Sequence, residues 1–218
     1  MSLTPQISYS ITVCNEATEI RRLLTFLART ARRIDEIVVL FDTSRKSDAV
    51  RAVLEEFAKN SGPVPFRFEE GVFDGHFGNW KNRLIDLCRG EWMFNLDADE
   101  LPTEKLIRWL PFLTGVPLVE LYSIPRLNTV EGLTKDDISA WKWKVNRKGW
   151  VNWPDHQRRL FRNRPHIRWQ GHLHESVVGS KVDIALPAQI IGPSIALQHP
   201  KVVDRQRTQY AFYDTLKT

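Results

Sequence analysis

The chain has few cysteines and no long apolar segment. Only two of its 218 residues are cysteine, Cys14 and Cys88, and both lie in apolar stretches. A disulfide framework is therefore not supported, and we expect both thiols to be reduced and to pack as small apolar groups. No stretch approaches the roughly 18 uninterrupted apolar residues that span a bilayer, and the first residues do not form a secretory signal. We therefore expect a cytoplasmic protein.

Two nucleotide-binding signatures are absent as well. The sequence contains neither G-x-G-x-x-G after its first predicted strand nor G-x-x-x-x-G-K-[ST] anywhere, so it supports neither a dinucleotide site nor a P-loop. A nucleotidyltransferase usually has a glycine-rich, basic segment after its first strand to handle a triphosphate. Because residues 14–17 read C-N-E-A, this kind of enzyme stays only as an alternative.

Basic residues and tryptophans are concentrated in one stretch. The net charge is +5, from 31 lysines and arginines against 26 acids. Between Trp141 and Trp169 lie nine basic residues, one acid (Asp155) and five of the eight tryptophans. Such a surface suits an anionic partner with sugar rings, a lipid headgroup region or single-stranded nucleic acid. Two other interpretations stay open: a solvated basic face with tryptophans in the core, and a non-catalytic carbohydrate- or nucleic-acid-binding domain.

Hydrophobic periodicity predicts an α/β fold with a mostly parallel central sheet flanked by helices. Strands that alternate with amphipathic helices, the signature of such a sheet, are predicted at residues 7–13, 36–41, 65–68 and 91–96. Shorter, mixed strands follow at residues 118–124, 158–161, 167–169 and 172–178, and a weak helix at 202–216. We predict one domain over residues 1–218, with a nucleotide-binding half at about 1–115 and an acceptor-binding half at about 116–218.

The fourth predicted strand ends in the sequence D-A-D-E, residues 97–100. Alternate side chains of an extended chain point the same way, so Asp97 and Asp99 can converge. Two carboxylates bind a hard cation such as Mg2+ or Mn2+, which takes further oxygen ligands from substrate phosphates. An acidic turn that caps the next helix explains the same residues. Because ligands of parallel sheets sit at the carboxyl ends of the strands, Asn15, Glu16 and Asp42 belong to the same edge.

Six segments, in order between about residues 7 and 178, carry a resemblance to a known family. They are N-E (15–16), D-E-I-V-V-L-F-D-T-S (35–44), W-K-N-R-L (80–84), R-G-E-W-M-F-N-L-D-A-D-E (89–100), P-D-H-Q-R-R-L-F-R (154–162) and G-H-L-H-E (171–175). Together they resemble glycosyltransferase family 2, in the branch that includes lipopolysaccharide core sugar transferases. The resemblance implies a GT-A fold that binds a nucleotide-diphospho-sugar with Mn2+ or Mg2+ and transfers the sugar with inversion to a glycan or glycolipid.

The resemblance also implies roles on the donor side. Asp42 is expected to contact the nucleobase, Asp97 the ribose or the metal, and Asp99 the metal. His199 is expected to give a further metal ligand or a diphosphate contact. The other residues expected to bind the nucleotide-sugar are Asn15, Glu16, Lys81, Arg83 and Arg159. Arg159 is the candidate for neutralising the diphosphate, although the sequence does not say which arginine does so. Residues 43–46, T-S-R-K, replace the small-residue turn that is usual in the family, so UDP- and GDP-sugars both stay open.

On the acceptor side, Glu175 in G-H-L-H-E is the first choice for the base that takes the proton of the acceptor hydroxyl. Asp155 is the rival, and a structural ion pair between Glu175 and a nearby arginine is the alternative. We expect His172 and His174 to share one face of a strand and one of them to orient Glu175 or to contact phosphate. The basic, tryptophan-rich stretch leaves open an anionic acceptor and a peripheral contact with the inner face of the membrane. No nucleic-acid partner is expected.

Overall fold

The computed structural model describes residues 6–45 and 47–215, with the backbone alone for residues 209 and 211–215. Lys46 and Leu216, which belong to the turn and the last helix discussed above, lie outside the described residues. The strands are β1 (Ile7–Val13), β2 (Glu36–Asp42), β3 (Phe66–Gly71), β4 (Trp92–Asp97), β5 (Leu101–Pro102), β6 (Leu121–Glu131), β7 (Trp150–Arg162), β8 (Arg168–Gln170), β9 (Ser176–Val178), β10 (Asp183–Ala185) and β11 (Leu197–Val202). The helices are α1 (Ala17–Thr30), α2 (Asp48–Asn60), α3 (Phe77–Leu87), α4 (Glu104–Thr114), α5 (Lys135–Ala140), α6 (Ala188–Ile191) and α7 (Val203–Thr215). None of these helices combines the length and the apolar character needed to cross a membrane.

The first four strands confirm the predicted alternation of strand and helix. They lie in the order β3-β2-β1-β4 and are parallel throughout. In α1, Ile20, Leu23, Leu24 and Leu27 are all buried, because their spacing places them on one face of the helix. Parallel strands end at the same edge of a sheet, so the loops after β1, β2, β3 and β4 lie side by side.

The second half of the chain extends the same sheet with mixed strand directions. β7 is antiparallel to β4 and β6, β11 is parallel to β6, and β5 closes the far edge against β11. β6 and β7 are longer than predicted. Their pairing shifts register between Tyr122 and Ser123 and again between Arg126 and Asn128, and such irregularities interrupt the period-two pattern by which a sequence reveals a strand.

The strand predicted at residues 172–178 is wrong in its first half, because only β9 is extended there. Gly171 and His174 have φ values of 111° and 58°, which lie outside the β region. His172 and His174 therefore do not alternate on one strand. The ring of His172 instead meets the ring of His76 edge-on, with centroids 5.2 Å apart.

Two apolar cores cover opposite faces of the sheet. Along β4, Trp92, Phe94 and Leu96 pack into the larger core with α1, α2 and α4. Met93 faces the other way and packs with α3, β8 and β9. Because side chains alternate along a strand, Asp97 at the end of β4 lies on the same face as Met93. Helix α3 therefore passes beside this carboxylate.

Both cysteines are free, as predicted. Cys88 is buried at the end of α3. Burial and the neighbouring carboxylates of Asp42 and Glu16 raise the pKa of Cys14 to about 12. Because the thiolate is the reactive form, this thiol is inert at neutral pH.

Candidate active site

The sequence D-A-D-E forms a tight turn at the carboxyl end of β4. The backbone N–H of Glu100 donates to the carbonyl of Asp97 (2.9 Å), and the side chain of Glu100 accepts a hydrogen bond from the backbone N–H of Asp97 (3.1 Å). The next helix, α4, is capped by Thr103, whose hydroxyl accepts from the N–H of Leu106. The acidic residues are therefore free of the capping role that the sequence left open.

Glu100 is the centre of a buried charge cluster. Its side chain is 0% exposed and accepts from Arg126 (2.9 Å) and from Arg159 (2.7 Å). Arg126 also binds Asp155 (2.8 Å), and Arg159 binds Asp97 (2.5 Å). A buried carboxylate is tolerated only when it is paired and hydrogen-bonded. The sequence analysis missed the roles of Glu100 and Arg126. For Glu100 the available signal was an acid directly after the D-A-D motif, and this acid was interpreted as part of the start of a helix.

Lys81 connects Asp97 to Glu175. Its ammonium lies 2.7 Å from Oε1 of Glu175 and 3.3 Å from Oδ1 of Asp97. It also lies 4.5 Å from the centroid of the Trp169 ring, and its side chain is 6% exposed. The sequence alternative for Glu175, an ion pair, is therefore present with a lysine in place of the expected arginine. Through Lys81, residues from α3, β4 and the loop before β9 meet in one cluster.

The charge of Asp97 is compensated by the protein itself. Burial favours the neutral acid, but Arg159, Lys81 and Arg126 outweigh it and hold the pKa of Asp97 far below its usual range. Burial likewise disfavours the charged form of Arg159, yet Asp97 and Glu100 raise the pKa of this guanidinium. Arg159 is 3% exposed, which differs from the predicted contact with a diphosphate. Its charge is directed at protein carboxylates.

Asp99 has a different environment from Asp97. Its Oδ2 lies 3.4 Å from Nε2 of His199 and 3.7 Å from Arg205 of α7. Burial would raise the pKa of Asp99, but the hydrogen bond and charge of His199 and the charge of Lys201 outweigh it and lower the pKa. The negative charge of Asp97 acts in the opposite direction, so the two carboxylates lie within electrostatic reach of each other while contacting different partners.

His199 has the geometry of a metal ligand that is held by a second hydrogen bond. Its Nδ1 lies 2.7 Å from Oδ1 of Asn128, and Nδ2 of Asn128 donates to Asp155 (2.8 Å). A ring that donates from Nδ1 can bind a metal through Nε2 once the metal replaces the Nε2 proton, and this nitrogen lies on the Asp99 side of the ring. Asn128 thus joins the Asp99 side of the site to Asp155.

Whether a divalent cation fits here depends on which of these side chains are not already bound by cations of the protein. Within the part of the chain that the structure describes, no group of three or more His, Cys, Asp or Glu is arranged to hold a metal ion. Asp99 and His199 lie side by side, whereas Asp97 already forms ion pairs with Lys81 and Arg159. Mg2+ and Mn2+ commonly complete their coordination with substrate phosphates and water. The site therefore fits a cation that arrives with a nucleotide diphosphate and does not fit a cation held by protein ligands alone.

The first two loops of the same edge carry three of the predicted donor residues. Oε2 of Glu16 accepts from the backbone N–H groups of Cys14 and Asn15, and its Oε1 accepts from Arg205. The side chain of Asn15 is exposed. Asp42 is buried and accepts from Ser44. Asp42 thus caps the turn after β2, and its contact with a nucleobase stays a prediction.

Arg83 is bound to β3 and not to the carboxylates of the cluster. Its guanidinium binds Glu69 (2.7 Å) and the carbonyl of Glu70 on β3. It has no hydrogen bond or ion pair to Asp97 or Asp99 in the described residues. Lys81 and Arg83 are two residues apart on α3, so they point to different parts of the rim.

The family model described as glycosyl transferase family 2 matches residues 8–167, well over half of the chain. The chain belongs to glycosyl transferase family 2. The family match contains the turn of residues 97–100 together with Asp155 and Arg159, whereas Glu175 and His199 lie beyond it. The roles of these last two residues therefore rest on the geometry around them.

Solved structures of glycosyltransferases share the fold of this family 2 chain. A mannosyltransferase from Pyrobaculum calidifontis, in complex with GDP-Man and Mn2+, is 20% identical with a TM-score of 0.50, over 56% of this chain and 36% of that chain. TarS of S. aureus, residues 1–349 in complex with UDP, is 13% identical with a TM-score of 0.55, over 85% of this chain and 62% of that chain. The chain thus spans about a third to about three fifths of the length of these relatives. A comparison with curated proteins found no match.

These comparisons confirm the predicted fold class of the family 2 chain, an α/β fold with a mixed central sheet flanked by helices. At such low identity the likeness to the solved structures concerns the fold alone. The narrower resemblance to lipopolysaccharide core sugar transferases stays a prediction.

Proposed function

We propose that this chain transfers a sugar from a nucleotide-diphospho-sugar to a hydroxyl group of a glycan or glycolipid, with inversion and with Mn2+ or Mg2+. The observation that carries the proposal is the different pairing of Asp97 and Asp99 at the carboxyl end of a parallel sheet. One carboxylate is neutralised by protein cations, and the other lies beside a histidine that can share a metal with it. The family match and the nucleotide complexes of the related folds support the donor class.

In this proposal the first half of the chain holds the nucleotide. Asn15, Glu16 and Asp42 line the loops after β1 and β2, and Asp42 faces the base. The side chain of Asp97 is 32% exposed, which leaves room for a ribose hydroxyl while Arg159 and Lys81 hold the carboxylate. UDP- and GDP-sugars are the candidate donors.

The diphosphate binds next to Asp99. Asp99 and His199 hold the cation, which when bound stabilises the negative charge that develops on the leaving diphosphate. Lys201 and Arg205 lie close enough to Asp99 to add positive charge there. We assign the diphosphate to these two residues in place of Arg159, because Arg159 is buried against Asp97 and Glu100.

The acceptor hydroxyl binds beside Glu175. The rival for the base, Asp155, is held by several donors: its Oδ2 accepts from Arg126 and Asn128, and its Oδ1 accepts from Gln157. Burial would raise the pKa of Asp155, but these donors outweigh it and lower the pKa, which makes Asp155 a weak base. Glu175 binds Lys81 through Oε1, and we assign the acceptor hydroxyl to its other carboxylate oxygen, Oε2. That oxygen takes the proton as the acceptor oxygen bonds to the anomeric carbon and the bond from that carbon to the diphosphate breaks on the opposite face.

The test of this assignment is the Glu175→Gln variant. Loss of a general base typically lowers turnover by about 10²–10⁴-fold, and we expect this loss with unchanged affinity for the nucleotide-sugar. Asp155→Asn is the comparison variant and should retain more turnover. Near-parental turnover of Glu175→Gln would remove Glu175 from the role, and a larger loss in Asp155→Asn would transfer the role to Asp155.

Thermal shift with UDP and GDP, each with and without Mn2+, tests the donor site separately. A ligand that binds only the folded protein raises its stability by mass action, so one nucleotide diphosphate should stabilise the protein only when Mn2+ is present. Stabilisation that needs no metal and survives Asp99→Ala would favour the alternative, a non-catalytic basic binding domain, because phosphate contacts by lysine and arginine need no carboxylate.

A further inference from the structure

The segment 141–153, here called the tryptophan hairpin, is a small, well-formed hairpin at the start of β7. Val145 and Val151 form an isolated bridge, and Asn152 donates to the carbonyl of Lys144 (2.7 Å). At the tip, the side chain of Asn146 accepts from two backbone N–H groups. The six residues 144–149 are all exposed. The backbone bonds therefore hold the tip in one shape while its side chains point to solvent.

The hairpin contains four half-buried tryptophans. Trp141 and Trp143 pack on each other and on Tyr210 of α7, with centroids 4.6 to 6.4 Å apart. Trp150 and Trp153 meet edge-on at 5.3 Å. Of the five tryptophans in the basic stretch, only Trp169 is buried in the core. The sequence alternative, a basic face with some tryptophans in the core, therefore holds for Trp169, whereas the four rings of the hairpin lie outside the core.

The hairpin carries four exposed cations and no acid. Lys142, Lys144, Arg147 and Lys148 are exposed, and none of them forms an ion pair with a residue that the structure describes. Lys148 lies 4.8 Å from the centroid of the Trp150 ring. The four positive charges therefore remain available for an external anion.

The acids on either side of the hairpin do not offset this charge. Asp137, before the hairpin, is bound by Arg207 of α7, and Asp155, after it, is bound by Arg126. Because Asp137 and Asp155 each have their own arginine, the exposed Asp136 of α5 is set against the four cations of the hairpin, so the local charge stays positive.

The hairpin lies next to the candidate active site. Val151 at its base is opposite Asn128 in the pairing of β6 with β7, and Asn128 binds both His199 and Asp155. Tyr210, against which two of the tryptophans pack, belongs to α7, which also carries Arg205. A surface bound by the hairpin would thus lie beside the candidate active site, next to Asn128 and α7.

We infer that the tryptophan hairpin binds the surface of an anionic phospholipid bilayer. Lysine and arginine at a membrane surface are attracted by anionic lipids, and indoles favour the headgroup region. Single-stranded nucleic acid instead needs open ring faces on which bases stack, and here the rings cover one another and Lys148 covers Trp150. Only the link to a glycolipid acceptor rests on the proposed function; the binding of the bilayer does not.

Vesicle co-sedimentation without nucleotide tests the inference. The protein should bind vesicles of equal parts phosphatidylglycerol and phosphatidylcholine, should release them as salt is raised, and should not bind phosphatidylcholine alone. The hairpin variant combines Lys142→Ala, Lys144→Ala, Arg147→Ala and Lys148→Ala. At about fivefold per cation near an anionic surface, it should bind on the order of several hundredfold more weakly.

The matched control removes the same charge elsewhere. It combines Arg22→Ala, Arg33→Ala, Lys59→Ala and Arg108→Ala, four exposed cations on or beside α1, α2 and α4. Its binding should fall far less than that of the hairpin variant, and thermal melts should show both variants folded.

Three results would overturn the inference. They are equal binding by the hairpin variant and the parent, equal loss in the control, and binding of a single-stranded oligonucleotide that matches and competes with vesicle binding. Because vesicle binding is measured without donor or metal, a failure of the proposed transfer reaction would leave this result unchanged, and the reverse also holds.

Discussion

Asp97 and Asp99 are separated by one residue, yet they lie in opposite kinds of environment. Asp97 is bound by Arg159 and Lys81, which are buried and neutralise its charge. Asp99 has one histidine at 3.4 Å and a more exposed arginine at 3.7 Å. We call the Asp97 side, where two buried cations bind the carboxylate, the closed side of the turn. We call the Asp99 side, where the cationic partners are farther away and where the proposed function places a metal ion and phosphate, the open side.

This difference shows that the D-A-D motif alone does not say which carboxylate binds metal. The partners decide it, because a carboxylate bound directly by two buried cations gains little from a third, whereas one whose cationic partners lie 3.4 Å or more away gains more. The predictions below test whether the closed and open sides behave differently, beginning with the open side.

Asp99→Asn should abolish most activity with little change in stability. Loss of a metal-holding carboxylate removes several kcal/mol of transition-state stabilisation, so we expect sugar transfer to fall by about 10³–10⁴-fold. The free energy of unfolding should fall by only about 1 kcal/mol, since one hydrogen-bonded contact is weakened. Donor-transfer assays and urea unfolding measure the two effects.

The comparison variants are Asp97→Asn and the surface change Asp86→Asn. Asp86 is 67% exposed, so its variant should match the parent in both assays. If Asp97→Asn removes the Mn2+ dependence of the nucleotide-induced thermal shift while Asp99→Asn keeps it, the two carboxylates have the reverse of the roles assigned here.

Glu100→Gln should act on the closed side through stability. The buried carboxylate is shared by Arg126 and Arg159, and breaking a buried pair by removing one charge costs about 3–5 kcal/mol. We expect a loss of about 3 kcal/mol, because Asp155 and Asp97 still bind the two arginines. Urea unfolding should show this loss, and a value within error of the parent would mean that the cluster does not support the turn.

The sequence predicted those parts of the structure that follow from local periodicity. The alternation of β1 to β4 with α1 to α3 was readable because apolar residues recur at the helical and strand periods, as Ile20, Leu23, Leu24 and Leu27 do in α1. The edge at which Asp42, Asp97 and Asp99 lie followed from the parallel direction of these strands.

The rest depended on contacts that are distant in sequence. Lys81 meets Glu175 across 94 positions, and Arg126 meets Glu100 across 26. Nothing local in the sequence marks such pairs. The loop before β9 was also hidden, because the positive φ of His174 is set by tertiary context.

Lys81→Met should weaken both sides moderately, because Lys81 is the link between Asp97 and Glu175. The thioether can occupy the space against Trp169 but cannot bind either carboxylate. We expect turnover to fall by about 10–100-fold, as for loss of residues that orient catalytic groups, with a smaller change in nucleotide affinity. Lys81→Arg should restore part of the turnover. If turnover falls equally in both variants and only in proportion to their loss of stability, the role of Lys81 is purely structural.

The smallest effect should be the acid dependence of stability on the Asp155 side. The pKa of Asp155 is lowered in the folded state, where Arg126, Asn128 and Gln157 outweigh the effect of burial. A carboxylate with a lowered folded pKa stabilises the protein above the ordinary aspartate pKa of 3.8, and this contribution is lost as the pH falls through the folded value. The free energy of unfolding of Asp155→Asn should therefore decline less steeply between about pH 5 and pH 2 than that of the parent. Parallel curves for the two proteins would mean that the Asp155 carboxylate is no better stabilised by Arg126 in the folded state than by water in the unfolded state.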